Sequence, residues 1–430
     1  MRKLDTKLMH PRDQIVMIIK KIYQSKLTTT SGGNISIKDD SGDVWITPAS
    51  IDKGTLKNTD IVCIKKDGSR DGKHKPSSEY PFHLAIYKCR PDINAIVHAH
   101  PPGLVSFAIV RRIPNTNVIP QTKSVFGPIG YITYALPGSN KLGELVASEF
   151  TKGVNAIIME NHGTISGGND IMDAYQRFEM LESSAQSIIN GHYLGEPNYL
   201  SNEQIEKFEK QNLPKLPDME SVEYPSDERE IRNHIHRIVL RACEQQLMIS
   251  SYGTVSVRWR NNDFLITPKD IPRWNIQPGD IVQIRDGKKE PGKLPSRSTW
   301  LHQEIYRRFP KVNSIIITQP PSLMAFSITG KKLDVRTIPE SWIYLQNIEN
   351  VPFGAQFAGE ELLLNTLSDK TPLIIINNDS VLITGNRLID TFDRLEVAEF
   401  SAKSLLLGKN LGSFKPITDA EIEELRKAYF

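Results

Sequence analysis

Residues 75–102, KPSSEYPFHLAIYKCRPDINAIVHAHPP, return in altered form at 294–321 as LPSRSTWLHQEIYRRFPKVNSIIITQPP. The recurrence runs along the chain. SGGNISIK at 31–38 pairs with SYGTVSVR at 251–258, and WITPASI at 45–51 with FLITPKDI at 264–271. AIIMENHGTISGG at 156–168 pairs with LIIINNDSVLITG at 373–385, and LSNEQIEKF from Leu200 with ITDAEIEEL from Ile417. The spacing between partners is nearly constant: Asn34 with Thr254, Ser77 with Ser296, Asn161 with Asn378, Ser201 with Thr418. A period this long exceeds any solenoid unit, so each copy must bury a core of its own. The repeat therefore predicts two tandem domains, 1–209 and 227–430. Between them, 210–226 carries three prolines among charges and reads as a linker.

Each copy opens on a helix (Asp13 to Lys26, Glu228 to Gln246) and continues through short strands separated by turn residues. A second helix follows PSSE, then the AIVHAH strand, then a strand at 156–161. A long helix closes each copy, starting near Asp170 and near Arg387. Strands mixed with helices, without strict βαβ alternation, predict layered α/β or α+β domains around a mostly antiparallel sheet.

A net charge of +3 on 430 residues gives no electrostatic case for nucleic acid or a membrane surface. The densest basic run, KKDGSRDGKHK at 65–75, is broken by Gly and Asp and reads as a solvated hairpin loop. The three cysteines show no CxxC spacing, and Cys63 and Cys243 sit in apolar surroundings. They read as buried free thiols of a reducing compartment. The N-terminal MRKLDTKLMHPRDQIVMIIKKIYQ reads as an amphipathic helix rather than a signal peptide, and no apolar run is long enough for a membrane span. These features predict a cytoplasmic protein.

The copies diverge selectively. His83 persists as His302, Tyr87 as Tyr306, and Pro101-Pro102 as Pro320-Pro321. His98 becomes Ile317, His100 becomes Gln319, His162 becomes Asp379 and Glu79 becomes Ser298. The scaffold is kept while every candidate metal or acid–base residue is lost, the pattern of one working site and one relic. His98 and His100, two apart on a strand, share a face. Three imidazoles leave a zinc-like ion an open coordination position, and a nearby carboxylate supplies a proton acceptor. Asn34 and Ser78 change with the site, to Thr254 and Arg297, and read as site residues. Ser77 and Asn161 persist, which favours a helix-cap role for Ser77 and a turn role for Asn161.

SGGNIS, ITPAS, PSSE, HAH and ENHG, in this order and spacing, resemble the class II aldolase/adducin family. The resemblance covers nearly all of 8–210 and, in degenerate form, 227–430. It implies two three-layer α/β/α domains, each with a central antiparallel sheet. It implies that His98, His100 and His162 bind Zn²⁺ or another divalent ion such as Mn²⁺, Co²⁺ or Fe²⁺, with Glu79 as acid/base. It further implies a substrate or phosphate cradle at Asn34, Ser50, Ser77 and Ser78. The family's Thr or Ser followed by Gly is here Ala49-Ser50, a departure that bears on phosphate binding.

By the same resemblance, the activity is an aldolase-type lyase. It would cleave a small sugar-derived hydroxy-carbonyl compound, phosphorylated or free, through a metal-stabilised enediolate. Decarboxylation or dehydration at the same site is the alternative, and an adducin-like scaffold without chemistry is the contrasting one. The resemblance also implies a homo-oligomer, either a dimer whose four domains mimic a tetrameric ring or something larger. A tyrosine from the neighbour would join the site, with Tyr131 and Tyr134 as candidates.

Overall fold

The structure is a computed structural model that describes residues 8–211 and 215–430. Residues 1–7 of the amphipathic N-terminus and 212–214 of the linker lie outside the described residues.

The first repeat builds β1 (Asn34–Lys38), β2 (Val44–Ile46), β3 (Val62–Ile64), β4 (Arg70–Asp71), β5 (Ala95–Ala99), β6 (Gly130–Ile132), β7 (Ala156–Met159) and β8 (Gly163–Gly168). Its helices are α1 (Pro11–Gln24), α2 (Tyr80–Cys89), α3 (Pro102–Ile109), α4 (Pro120–Phe126), α5 (Asn140–Thr151), α6 (Ile171–His192) and α7 (Asn202–Glu209). The sheet order is β4-β3-β2-β1-β5-β8-β7-β6, antiparallel throughout except for the β6–β7 edge pair.

The second repeat reproduces this order with β9 (Thr254–Arg260), β10 (Asp263–Ile266), β11 (Val282–Arg285), β12 (Lys288–Lys289), β13 (Ser314–Thr318), β14 (Ile348–Val351), β15 (Leu373–Ile376) and β16 (Ser380–Gly385). Its helices are α8 (Ser226–Glu244), α9 (Thr299–Arg308), α10 (Pro321–Thr329), α11 (Pro339–Leu345), α12 (Leu362–Thr366), α13 (Leu388–Gly408) and α14 (Asp419–Tyr429). The expected strand at 156–161 ends at Met159, because Asn161 turns the chain with φ of 53°. The expected AIVHAH strand ends at Ala99, two residues before the first of two prolines, which cannot donate to a ladder. The sequence reading lacked β6 and α5; a three-residue edge strand carries too little periodicity to be read.

Helices cover both faces of each sheet, the predicted α/β/α layering. On one face of the first sheet, Phe82 and Ile86 of α2 and Leu142, Val146 and Phe150 of α5 pack against Ile46, Ile96 and Ile165. On α1, Ile15, Ile18, Ile19 and Ile22 are fully buried, the one-sided spacing of an amphipathic helix. Two carboxylates recur as fixed points. Glu182 on α6 accepts the N–H groups of Gly103 and Leu104 at 2.9 and 2.8 Å, and Glu399 on α13 those of Ser322 and Leu323 at 2.9 Å each. Each holds the start of the helix that follows the central strand, a favourable place for an acidic group.

Two compact units partition the chain, one of residues up to Thr116 with Gln121–Gln186, the other of Asn117–Pro120 with Ser187–Phe430. Within the second unit the Pro-containing segment is docked. Met219 N–H donates to Lys289 O and Lys289 N–H to Pro217 O, both at 2.9 Å, and the Tyr224 hydroxyl donates to Glu290 at 2.6 Å. None of the three cysteines is in a disulfide; Cys63 and Cys243 are buried and Cys89 is half-buried. Among the described residues, no helix is long and apolar enough to cross a membrane.

Candidate metal centre

β5 lies at the middle of its sheet, between β1 and β8, with Asn34 and Ile165 opposite His98. Alternation puts Ile96 and His98 of β5, and Asn34 and Ser36 of β1, on the face covered by α2. His100 follows directly in the segment stopped by Pro101. His162 comes from the tight β7–β8 turn, where its N–H donates to Met159 O at 3.1 Å. Glu79 occupies the N-cap position of α2 but makes no side-chain cap bond. Its carboxylate turns instead toward the imidazoles.

These pieces converge. The ring centroids of His98, His100 and His162 are 4.8, 5.0 and 5.2 Å apart, close to an equilateral triangle. Their ligand atoms all lie within 4.8 Å of one another, and His98 Nε2 is 3.1 Å from His100 Nε2. Glu79 Oε2 is 3.1 Å from His98 Nε2, and Oε1 is 3.2 Å from His162 Nε2.

The donor set fits a divalent ion. Nδ1 of His98 lies 2.9 Å from Thr164 O, which accepts only a proton-bearing nitrogen, so Nε2 is the ring nitrogen turned toward the centre. Burial, and then His98 and His162, push the His100 imidazole down to about 3, leaving it neutral with a lone pair to give. Nitrogens bound tetrahedrally at about 2.0–2.1 Å lie about 3.3 Å apart, near the His98–His100 separation. Burial alone would raise the Glu79 carboxyl; His98 and His162 outweigh it and hold the group well below the usual carboxylate range. Glu79 Oε1 is buried without a hydrogen bond of its own.

Behind the carboxylate runs a chain of buried bonds. Tyr87 OH and His83 Nδ1 each meet Ser36 Oγ at 2.7 Å. His83 Nε2–H donates to Asn34 Oδ1 at 2.5 Å, and Asn34 Nδ2 donates to Glu79 Oε2 at 2.8 Å. His83 and Tyr87 stand one helical turn apart on α2, so they reach β1 side by side. Burial pushes His83 down to about 3, so this imidazole is neutral and its tautomer is set by these partners.

The predicted residues are thus distributed unevenly. Glu79, His98, His100 and His162 meet at one point. Asn34 is there too, but its amide serves His83 and Glu79. Ser77 Oγ accepts the Glu79 N–H at 3.3 Å, while Ser78 and Ser50 are exposed. Ser50 holds a left-handed φ of 58°, the conformation glycine adopts without cost. Tyr131 OH donates to Glu160 at 3.2 Å, and Tyr134 is exposed. The sequence reading passed over His83 as scaffold and missed Gly163. A Cβ at Gly163 would lie 2.6 Å from His100 Cδ2, and its partner in the second repeat is Ser380, beside Gln319 rather than histidine. That paired change was the available signal.

The sequence profile of the Class II Aldolase and Adducin N-terminal domain matches residues 13–189 and 233–406. The chain belongs to the class II aldolase and adducin family, as a tandem of two such domains. It is 38% identical over 177 residues to an L-fuculose phosphate aldolase of Methanocaldococcus jannaschii, covering 41% of this chain and 93% of that protein. It is 34% identical over 217 residues to a 5-deoxy-D-ribulose 1-phosphate aldolase of Bacillus thuringiensis, covering 47% and 95%. It is 31% identical over 179 residues to a 3-oxo-tetronate 4-phosphate decarboxylase of Haemophilus influenzae, covering 41% and 85%. These relatives support an enzyme of the aldolase-type lyase class.

Proposed function

We propose that the first repeat is a divalent-metal-dependent lyase that cleaves a carbon–carbon bond beside a carbonyl in a small, sugar-derived substrate. The observation that carries this is the buried Glu79 carboxylate set against three convergent imidazoles and oriented by Asn34. A divalent ion held by His98, His100 and His162 supplies a Lewis acid for the substrate carbonyl and stabilises the negative charge that develops beside it. Zn²⁺ suits three imidazoles, and Mn²⁺, Co²⁺ or Fe²⁺ also suit them.

Bond cleavage leaves an electron pair on the carbon next to the carbonyl, and a proton must be delivered there. The hydroxyl that becomes the aldehyde carbonyl gives up one proton as the bond breaks. The ionised Glu79 takes up that proton and passes it to the carbon in the cleavage direction, and runs the same transfer backwards in the reverse. Ser50, Ser77 and Ser78 form the anion cradle, fitting the phosphorylated ketoses named in the aldolase relatives. The second repeat is catalytically silent, a scaffold within a cytoplasmic homo-oligomer.

A second reading keeps the same site but releases carbon dioxide, and is favoured by the decarboxylase relative. The deciding experiment pairs elemental analysis with product analysis. Near one divalent ion per chain, lost in His100→Ala and kept in Gln319→Ala, supports the site assignment. An aldehyde product from a ketose phosphate supports cleavage, and carbon dioxide from a 3-oxo acid supports the second reading. A chain that takes up no stoichiometric metal overturns both.

A further inference from the structure

The second compact unit contains a contact whose twin is missing. There the tail of the first repeat, Ser187–Leu200, is seated on α10 and on the turn at Asn378. Gly191 comes so close to Ile328 that an added Cβ would lie 3.0 Å from its Cδ1. Leu194 packs on the core of that unit. Asn378 Nδ2 donates to Val118 O at 2.9 Å and Asn198 O at 2.8 Å, and Asn198 N–H donates to Ile328 O at 2.7 Å.

Every participant has a counterpart in the other repeat. The tail motif GHYLG at 191–195 recurs as GKNLG at 408–412, and the seat residues Ile328 and Asn378 correspond to Ile109 and Asn161. In the single chain these counterparts are bare. Ile328 is fully buried while Ile109 is 55% exposed; Leu194 is half-buried while Leu411 is 90% exposed. Asn378 is buried and Asn161 exposed. The second half of α6 is largely covered, but on α13 Phe400 and Leu407 stand 64% and 68% exposed.

We propose that the tail of the second repeat, Phe400–Lys415, docks on the Ile109–Asn161 seat of another copy of this chain. The seam within the second unit is the template: the same tail motif meets the same seat residues there. This names the surface behind the oligomer proposed above, and it rests on neither the metal nor the reaction. A tail-to-seat contact is heterologous, so it propagates from chain to chain until a ring closes. Asn161 directly precedes His162, so the docked tail would pin the turn that carries a candidate ligand. Apolar side chains this exposed, gathered on one helix face and its extension, otherwise invite aggregation.

The test is mass measurement at micromolar concentration on the full chain, Leu411→Glu and Ile109→Glu. Because both side chains are exposed, each variant should keep the wild-type circular dichroism. Leu411→Ala serves as the milder variant if either charge change perturbs folding. The expected result is an associated wild type, with both Glu variants monomeric and dissociation constants raised by roughly a hundredfold. Mixing the two variants should restore a 1:1 pair, since one supplies an intact tail and the other an intact seat. No closed ring should form, since the tail and seat left over in the pair are both damaged. A monomeric wild type overturns the proposal. An oligomer that survives both substitutions, or a mixture that stays monomeric, overturns the surface while leaving the metal site and its chemistry untouched.

Discussion

Tyr87, Ser36 and His83 in the first repeat, and Tyr306, Ser256 and His302 in the second, are the same side chains in the same bonds, yet the two triads lead to different places. In the first, His83 passes its bond to Asn34 and so to Glu79. In the second, Ser256 meets His302 and Tyr306 at 2.6 Å each, but His302 Nε2 is buried with no partner. Thr254 in place of Asn34 bonds Ser296 at 2.7 Å instead. Gln319 donates to Asp379 O at 2.7 Å, and Ser380 donates to the Asp379 carboxylate at 2.7 Å. Two of the three positions that match the candidate ligands hold polar groups bonded within their own repeat, and the third holds Ile317. An unpaired buried imidazole nitrogen costs about 1–3 kcal/mol. The second repeat carries that cost with no carboxylate to hold, which makes the relay in the first a device of the site and not of the fold.

The largest effect expected from breaking this comparison is on Glu79. Glu79→Gln should keep the fold and the metal while turnover falls by about 10²–10⁴. Ser298→Ala, at the matching position, should leave activity unchanged. A Gln variant within a few-fold of wild type would remove Glu79 from the chemistry. Next comes the relay. His83→Phe deletes bonds to both Ser36 and Asn34, frees the Asn34 amide to rotate, and loosens Glu79. We expect kcat to fall at least tenfold, with KM little changed and metal retained. His302→Phe removes one bond and relieves an unpaired nitrogen. Its loss of unfolding free energy should be smaller than that of His83→Phe by about 1–3 kcal/mol in denaturant titrations. Equal losses would mean that the relay is only packing.

Much of this was legible because the chain carries its own control. Apolar spacing and turns persist across the repeats, so the tandem fold could be read from them. The candidate ligands and the candidate acid/base vanish together, so His98, His100, His162 and Glu79 stood out without the structure. His83 did not, for the opposite reason: it persists in both repeats, and persistence looks like scaffold. Its role lies in what its Nε2 meets, and that partner, not His83, is what changed. Asn34 was legible as a site residue but not as the group that holds Glu79, because that bond joins positions 45 residues apart in sequence through the β1–α2 packing. The bare tail at Leu411 was hidden for a related reason. Its sequence matches the covered tail at Leu194, and only the burial differs.

The two turns that end in the ligand position offer a smaller test. Asn161 and Asn378 hold left-handed φ values of 53° and 56°, so an alanine pays the same backbone penalty at either. Beyond it, Asn378→Ala loses two hydrogen bonds to backbone carbonyls and leaves the Val118 acceptor buried. Asn378→Ala should therefore cost about 1–3 kcal/mol more than Asn161→Ala when both are measured in a monomeric background such as Leu411→Glu. In the associated wild type, the gap should narrow as the docked tail supplies Asn161 with a carbonyl partner matching Asn198 O. A gap that is identical in both backgrounds would count against the tail's reaching Asn161.

The smallest effect separates backbone strain from recognition at the proposed anion cradle. Ser50 and Asp270 occupy matching turns with φ of 58° and 59°, and both are exposed. A side chain in this region is strained by about 1–2 kcal/mol, partly offset by the greater chain entropy glycine loses on folding. Ser50→Gly and Asp270→Gly should each stabilise the chain by about 0.5–1 kcal/mol, a shift readable in the thermal midpoint. If the Ser50 hydroxyl also meets a substrate phosphate, only Ser50→Gly should raise KM, and only for phosphorylated substrates. Equal stabilisation with an unchanged KM would assign the cradle to backbone N–H groups and the other serines, leaving Ser50 as a strained residue in a glycine's place.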